Sequence, residues 1–440
     1  MRILRRLLWH PRFFTAGAVL YVLLWGFHAA PFVLATGWRV ESLARTMRHA
    51  VMSVGKRVST AEASMFSIAV VWPASQTPSY PEGVTLAWEE LNAAKGPLAG
   101  RIKLRRFYEE SPDETALGRL FRPTHAGETL IANQVVSYGD VKAVLGHRVE
   151  ETVIPSSLVY EDKGMLFFSA ASVPDRLTGH NLHLLFRMAP LNRQYSAAQA
   201  EYIQASGFKY VISLTQEGTQ FEELEDFVSH ELEKRRIPFP QRLYYSRTTD
   251  RMSGLTGGGA GSLLPDYRLL ISKFILTPYD GIALYGDIEL GPLMLKDIES
   301  MGNTKVIFGT DTMGRRALAS LAGSSAKNLL ITRFVPDDSE AGVASAFEAF
   351  VARFEKRFGA PPSADASKGY FAFQVFAAAA QVSPGLQPLS IATTLRLREF
   401  HSLFGTIKFD AAGNVKGGRL RTVPYRSVDV ADGSLSVHDR

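Results

Sequence analysis

The stretch GHRVEETVIPSSLVYEDKGMLFFSAASVPDRLT, residues 146–178, alternates short apolar runs with polar loops. The run VKAVLGH, which leads into it, and the run MLFFSAAS within it are typical of buried strands. PSSLVYEDKG between them is typical of a short helix that a glycine ends. Strands that alternate with helices predict a parallel sheet covered on both faces. In such sheets, ligand sites form in the loops at the carboxyl ends of the strands.

The same alternation continues on both sides of this stretch. From Phe66 onward, the strand-like runs FSIAVVW and RIKLRRFYEE alternate with the helix-like runs EGVTLAWEELNAA and HAGETLIANQVVSYG. In a second series, the helix-like runs YSAAQAEYIQASG and GPLMLKDIESMG alternate with the strand-like runs KYVISLTQE, GIALYGD and KVIFGTD. Two such series predict two lobes of similar α/β architecture.

The composition indicates a folded body behind a basic N-terminal segment. The chain has 440 residues, is 46% apolar and carries a formal net charge of +6, so it can fill sizeable cores in two or three domains. Residues 1–57 contain nine bases and one acid, whereas the remainder has two more acids than bases. The body therefore lacks the charge of a nucleic-acid-binding protein. The absence of cysteine excludes disulfides, thiolate metal sites, a cysteine nucleophile and a lipidated cysteine.

Residues 13–38 predict a membrane anchor. They form a run of 26 residues without a formal charge, and about 20 apolar residues suffice to cross a bilayer as a helix. The arginines in residues 1–12 predict a cytoplasmic tip. Residues 39–63 then form a juxtamembrane stalk, and the body lies in the periplasm of a bacterium as part of a single-pass inner-membrane protein. The alternative is a signal peptide that is cleaved to release the body into the periplasm.

Several motifs resemble one known family. The stretch VKAVLGHRVEETVIPSSLVYEDKGMLFFSAASVPDRLT resembles a pattern of type I periplasmic binding proteins, specifically of the leucine/isoleucine/valine-binding group that serves ABC transporters. The runs LLFRMAPLNRQYSAAQAEYI, FVARFEKRFGAPPSADASKGYFAFQVFAAA and LFGTIKFDAAGNV are similar to further patterns of that group. Together the motifs cover about residues 66–425 in order.

The resemblance implies two Rossmann-like lobes joined by three crossover segments, with the ligand in the cleft between them. The crossings are expected near Met188, Arg333 and Leu403. One lobe then comprises residues 64–187 with 334–402, and the other comprises residues 188–333 with 403–440. Such hinges allow the lobes to close on a ligand that binds the closed form more tightly.

In the first lobe, the resemblance implies ligand-binding positions in three loops. Tyr80 matches a tyrosine that follows the first strand. Glu150 stands where the family has a serine that receives the ligand carboxylate. Ala171 and Val173, with Ser172 between them, stand where the family has a small residue and a threonine for the same carboxylate.

In the second lobe, the resemblance implies three more positions. Phe221 matches an aromatic residue that packs on the ligand, and Asp311 matches the acid that accepts from the ligand ammonium. Asp287 falls near a family tyrosine, and a shift of one residue makes Ile288 the alternative match.

These substitutions predict an altered ligand preference. Like charges 4 Å apart repel by about 4 kcal/mol at an effective dielectric constant of 20, so Glu150 in the cleft would oppose a ligand carboxylate. With Val173 replacing a hydroxyl and Asp311 kept as an acceptor, the sequence predicts a ligand with cationic or donor-rich groups in place of leucine, isoleucine or valine. The alternative is that Glu150 points to solvent.

Other motifs do not indicate catalysis or a cofactor. GLTGGGAGS, residues 254–262, has no lysine after its glycines and is interpreted as a flexible insertion. His230 lacks the second histidine of a zinc helix. His147 in HRVEE could pair with a glutamate for acid–base work, but no nucleophile accompanies it, so a plain loop is the preferred interpretation. We expect no cofactor, no metal and no nucleic-acid partner.

The sequence thus leads to two functional hypotheses. The first is a membrane-anchored periplasmic protein that captures a small polar ligand, such as an amino acid, an amide or an amine, for an ABC permease or another inner-membrane complex. The second is a ligand-sensing ectodomain that signals through a separate partner protein. An enzyme is the weakest hypothesis, because no nucleophile, base or metal cluster converges on the loops.

Overall fold

The computed structural model describes residues 65–73, 79–109, 129–148, 150–170, 174–217, 220–239, 241–245, 270–271, 278–286, 290–313, 318 and 321–425. These residues belong to one compact unit that begins at Met65. None of the helices that they form is long and apolar enough to cross a membrane. The tip, anchor and stalk predicted for residues 1–63 lie outside the described residues, so they stay predictions.

The helices and strands alternate along the chain as the sequence predicts. The helices, numbered α1 to α9, are Tyr80–Ala93, Leu130–Val136, Glu150–Asp162, Asn192–Ala205, Gln220–Lys234, Gly291–Ser300, Val343–Phe358, Ala364–Val382 and Pro388–Leu397. The strands, numbered β1 to β14, are Phe66–Val71, Ile102–Phe107, Val141–Gly146, Leu166–Ser169, Leu185–Arg187, Val211–Gln216, Arg242–Tyr245, Gly281–Tyr285, Val306–Gly309, Leu329–Val335, Phe400–Ser402, Gly405–Phe409, Val415–Gly417 and Arg419–Pro424. Short 3₁₀ turns lie at Asp175–His180, Asp311–Met313 and Gly323–Ala326.

The first sheet has the strand order β2-β1-β3-β4-β5 and is parallel throughout. All six residues of β1 are buried, as expected for a parallel strand that is covered on both faces. The register of β3 against β4 pairs Ala143 with Leu166 and Gly146 with Ser169. The strand, helix and strand predicted from the opening stretch are confirmed.

Two glycines bring α1 and α8 into backbone contact over this sheet. A Cβ atom on Gly83 would lie 1.8 Å from the carbonyl oxygen of Ala366, and one on Gly369 would lie 2.1 Å from the carbonyl oxygen of Tyr80. No side chain fits at either position without moving a helix. The crossing therefore fixes the start of α1 beside the part of α8 that carries Lys368.

The second sheet has the order β14-β10-β9-β8-β6-β7 and is antiparallel only where β14 meets β10. The chain enters this lobe after β5, next to Met188, and leaves it after β10, which contains Arg333. Every residue of β6 and β8 is buried. The predicted α/β architecture with parallel sheets is confirmed.

The third crossing, which the sequence predicts near Leu403, stays a prediction. Strands β11, β12 and β13 form a small antiparallel sheet, and Phe400, Leu403, Ile407 and Val415 on or beside it pack in the same apolar core as β1 and α8. Only β14 pairs with the second sheet. The Leu403 side chain is buried in the first core, and β14 is the first later strand that pairs with the second sheet.

Candidate functional site

Two hydroxyl groups fix the loop that follows β9. The Oγ1 atoms of Thr310 and Thr312 each lie 3.1 Å from the carbonyl oxygen of Gly286, to which they donate. Gly286 directly follows β8, so these bonds join the ends of two neighbouring strands. Asp311, between the two threonines, thereby has a fixed place at the carboxyl edge of the second sheet, where open α/β sheets bind ligands.

A small cavity lies at this edge. Its walls come from α4, α5, β10 and the loop after β9. The lining residues are Asn192, Tyr195, Gln199, Phe221, Leu224, Gly309, Thr310, Asp311, Thr312 and Thr332. The cavity measures about 20 Å³, which is room for one water molecule. It thus has an apolar wall from α5 and a wall of hydroxyl, amide and carboxylate groups.

A lysine of the first lobe pairs with the carboxylate of this cavity. Lys368 Nζ donates to Asp311 Oδ2 at 2.6 Å, and the two side chains are only 11% and 9% exposed. Lys368 lies on α8, which packs in the core of the first lobe, whereas Asp311 follows a strand of the second sheet. The ion pair therefore spans the two lobes, and its low exposure makes it a strong, charge-assisted contact.

Tyr195 on α4 brings an unpaired hydroxyl to the cavity. The Tyr195 hydroxyl is buried and has no hydrogen-bond partner among the described residues. Burial raises the pKa of Tyr195 well above its usual range; the charge of Asp311 raises it further, whereas those of Arg187 and Arg333 lower it. Arg333 Nε is also buried without a partner in the described part of the chain.

Arg187, the last residue of β5, is a buried cation with few partners. Its side chain is fully buried, and Nη1 donates to the carbonyl oxygen of Pro174 at 3.2 Å. Its Nε and Nη2 atoms have no acceptor among the described residues, and the distance from Nη1 to Asp175 Oδ1 is 4.0 Å. Burial lowers the pKa of Arg187 to about 10, although Asp175 and Glu223 oppose the change. Its charge is therefore incompletely compensated.

The two nearby carboxylates are engaged elsewhere. Asp175 accepts from the backbone nitrogen of Asn192 at 2.7 Å and from Arg193 Nε at 2.6 Å. Glu223 Oε2 accepts from the backbone nitrogen of Asp175 and from Asn192 Nδ2, each at 2.8 Å. These bonds hold the start of α4 against α5. They leave Arg187 without a direct ion pair of hydrogen-bond length.

An aromatic stack lies at the carboxyl edge of the first sheet. Trp72 follows β1 and Tyr80 begins α1, and their rings stack with centroids 4.4 Å apart and 9° between planes. Burial, with a smaller effect of Asp365, raises the pKa of Tyr80. Trp72 Nε1 and the Tyr80 hydroxyl are buried without a partner in the described part of the chain. The first lobe thus also presents unpaired donors near its strand ends.

His147 pairs with Glu109, which lies 38 residues earlier in the chain, and not with a glutamate of the HRVEE motif. His147 Nδ1 lies 2.8 Å from Glu109 Oε1, and Nε2 lies 2.8 Å from the Tyr160 hydroxyl. Glu109 also accepts from the backbone nitrogen of Arg148 at 3.0 Å and from Thr152 Oγ1 at 2.8 Å. The network ties the loop after β3 to the end of β2. The described residues contain no group of three or more side chains suited to a metal ion.

The structure brings some of the predicted site residues together. Phe221 and Asp311 line the same cavity, and Tyr80 joins the aromatic stack of the first lobe. Glu150 begins α3, but its side chain lies outside what the structure describes. The remaining predicted residues also lie outside the described residues: Ala171, Ser172, Val173, Asp287 and its alternative Ile288. The role of each predicted residue stays a prediction.

Sequence reasoning missed Arg187, Tyr195, Arg333 and Lys368. Two of them carry a detectable signal. Lys368 is the one charged residue after the first turn of α8, in a helix otherwise built from small and aromatic residues. Arg187 ends an apolar strand and is itself buried. A cation in such a context needs a partner, and both signals point to the strand ends where the cavity lies.

Comparison with protein families finds one family that matches most of the described fold. The profile of a family described as periplasmic binding protein matches residues 126–427, which is more than half of the chain. The leucine-specific-binding protein of Salmonella typhimurium is 25% identical over 363 residues, covering 81% of this chain and 87% of that protein. Both the family and this relative are named for binding and not for an enzymatic activity, which supports the predicted non-enzymatic role.

Solved structures share the fold. An ABC transporter substrate-binding protein from Desulfitobacterium hafniense, in complex with leucine, superposes with a TM-score of 0.66 at 22% identity and covers 81% of this chain and 96% of that one. A solute-binding protein from R. palustris, in complex with 4-hydroxybenzoate, has a TM-score of 0.64 at 13% identity and covers 80% of this chain and 91% of that one. The same fold thus accommodates an amino acid in one protein and an aromatic acid in another.

Proposed function

Because the chain belongs to the periplasmic binding protein family, we propose that it captures a small polar solute between its two lobes and delivers it to an ABC-type importer. The observation that carries this proposal is the cavity at the carboxyl edge of the second sheet, which Phe221 and Asp311 line. Lys368 reaches Asp311 from the first lobe. A solute at Asp311 would therefore contact both lobes.

The delivery step is inferred from the relatives. The leucine-specific-binding protein and the D. hafniense substrate-binding protein are both named for solute binding, and the second is named as part of an ABC transporter. The low identity to both leaves the ligand of this chain open. The shared fold supports the binding role, whereas the ligand class depends on the charged groups of the cleft.

The proposal includes a membrane anchor at residues 13–38 with the body in the periplasm. It rests on the uncharged run and on the arginines that precede it. A phosphatase reporter fused after Arg440 should be active, and alkaline extraction should leave the chain in the membrane fraction. A soluble mature protein that starts near Thr36 would replace the anchor by a cleaved signal peptide.

A thermal-shift screen of the purified full chain tests the binding role. The panel contains amino acids, amides, amines and carboxylic acids, because a solute that binds only the folded state stabilises it by mass action, by about 2.7 kcal/mol at 100 times Kd. Phe221→Leu, which alters the cavity wall, should weaken the stabilisation. Phe358→Leu is the matched control, since Phe358 packs against the first core and does not line the cavity. Equal effects of both variants would place the solute elsewhere.

A further inference from the structure

We propose that the ligand of this cleft is a carboxylate without an ammonium group, held by Arg187, Tyr195 and Arg333. The inference rests on the proposed function and names the ligand class of the same site. It is supported by three features of the described residues: a carboxylate that is already neutralised, a buried guanidinium without an ion pair of hydrogen-bond length, and an unpaired hydroxyl that lines the cavity.

The first feature is the ion pair at Asp311. An acidic side chain in a cleft would ordinarily attract a ligand ammonium, and Asp311 lines the cavity. Lys368 Nζ already lies 2.6 Å from Asp311 Oδ2. A ligand ammonium would therefore have to displace Lys368 and leave that cation nearly buried beside a second one, which is unfavourable. Asp311 therefore does not support the preference for cationic ligands that the sequence predicts.

The second feature is the environment of Arg187. A buried guanidinium has five donors that need acceptors, yet Nε and Nη2 have none among the described residues. Asp175 is 4.0 Å away and accepts from other donors. A carboxylate matches the planar fork of a guanidinium with two parallel hydrogen bonds. A ligand carboxylate would thus supply the acceptors that the described protein groups do not.

The third feature is the hydroxyl of Tyr195. It lines the cavity, is buried and has no partner among the described residues. Thr332, which precedes Arg333 in β10, lines the same cavity. Asp175 Oδ1 lies 4.0 Å from Arg187 Nη1 and 2.7 Å from the backbone nitrogen of Asn192, another lining residue, which places Arg187 beside this end of the cavity. A buried hydroxyl without a partner is costly, whereas a hydroxyl that donates to a carboxylate forms a strong bond. Tyr195 is therefore suited to bind the second oxygen of the ligand carboxylate.

The cavity has room for only one water molecule in this conformation, so a carboxylate ligand enters when the lobes separate.

Calorimetric titration of the full chain with three matched probes tests the inference. The probes are 4-methylpentanoate, which is leucine without its amino group, L-leucine, and 3-methylbutylamine, which lacks the carboxylate. We expect 4-methylpentanoate to bind at least tenfold more tightly than L-leucine, and the amine not to bind. Tyr195→Phe should weaken the binding of 4-methylpentanoate about tenfold. It should not lower the free energy of unfolding, because the hydroxyl has no partner among the described residues. Lys368→Met, which frees Asp311, should shift the preference toward L-leucine.

The outcomes separate the inference from the proposed function. Binding of L-leucine or the amine as tight as that of the acid, or an unchanged affinity of Tyr195→Phe for the acid, overturns the inference and leaves the proposed function intact. The three probes can all fail to bind while other compounds of the screen bind. In that case, binding of acids without an ammonium group supports the inference, and binding of compounds with an ammonium group overturns it. If no compound of any class stabilises the chain, the proposed function itself fails, and the inference fails with it.

Discussion

Lys368 Nζ and Asp311 Oδ2 lie 2.6 Å apart although their helix and turn belong to different lobes. The two groups occupy the place where a solute of this fold class would join the lobes, at the carboxyl edge of the second sheet. The chain therefore supplies an inter-lobe charge contact at this edge from its own side chains. Arg187, by contrast, keeps two buried donor atoms, Nε and Nη2, without an acceptor among the described residues.

Removal of Lys368 should destabilise the unliganded chain. Lys368→Met leaves the carboxylate of Asp311 nearly buried without its cation, and breaking such a pair costs about 3 kcal/mol. Urea unfolding measures the loss, and adding Asp311→Asn should recover part of it. Lys163→Met is the matched control, because Lys163 forms an exposed pair with Asp162 and should change the free energy of unfolding little. Equal effects at the two lysines would contradict a structural role for the inter-lobe pair.

A methyl group at Gly369 should disturb the first-lobe side of the site. The added Cβ would lie 2.1 Å from the Tyr80 carbonyl oxygen, so Gly369→Ala forces α1 and α8 apart at a cost of about 2 kcal/mol or more. Gly96→Ala is the control, since a Cβ there would meet no atom within 4 Å. Thermal unfolding distinguishes the two, and an unchanged Tm for Gly369→Ala would show that the helices do not touch as described.

The Glu109 carboxylate should make stability depend on pH in the acidic range. Burial alone would raise its pKa, but the hydrogen bonds and the charge of His147, with bonds from Arg148 and Thr152, lower it below the ordinary value of 4.5. A carboxyl group whose folded pKa is lowered stabilises the fold above its unfolded pKa. That contribution is lost as the pH falls from about 4.5 through the folded pKa.

The variant Glu109→Gln should therefore be less stable at neutral pH and should show a shallower fall in stability below pH 4.5. Chemical unfolding at several pH values measures both effects. Glu399→Gln, at an exposed pair with Lys408, serves as the control and should retain the slope of the unmutated chain. A Glu109→Gln variant with the unmutated slope would mean that the carboxylate is not held ionised by His147.

The sequence predicts the fold well because apolar strands and amphipathic helices alternate locally. Runs such as β1 and β3 are apolar enough to recognise, and turn residues end the helices between them. The third crossing is harder to predict, since the side chains around Leu403 would suit either core. Only the packing shows that Leu403 lies in the first core, and the pairing of β14 with β10 shows that this strand belongs to the second sheet.

The site is less predictable than the fold because its charges meet only in space. Asp311 and Lys368 are 57 residues apart in the chain, and no local pattern connects them. Phe221 and Asp311 could be proposed from family motifs, whereas Tyr195 lines the cavity only because α4 packs beside α5 and β10. A lone cation in an apolar strand or helix is the signal that sequence reasoning can use for such groups.

The central claim is that a solute binds between the two lobes, and a distance measurement tests it most directly. The chain has no cysteine, so spin labels can be placed at Leu293→Cys on α6 and Leu389→Cys on α9, both exposed positions of different lobes. A second pair, Leu130→Cys with Leu389→Cys, lies within the first lobe and controls for other changes. With saturating amounts of the most stabilising compound of the screen, the mean inter-lobe distance should change and its distribution narrow, because the ligand-free cavity has room for only one water molecule, while the control distance stays constant. An inter-lobe distribution unchanged at saturation would contradict the account.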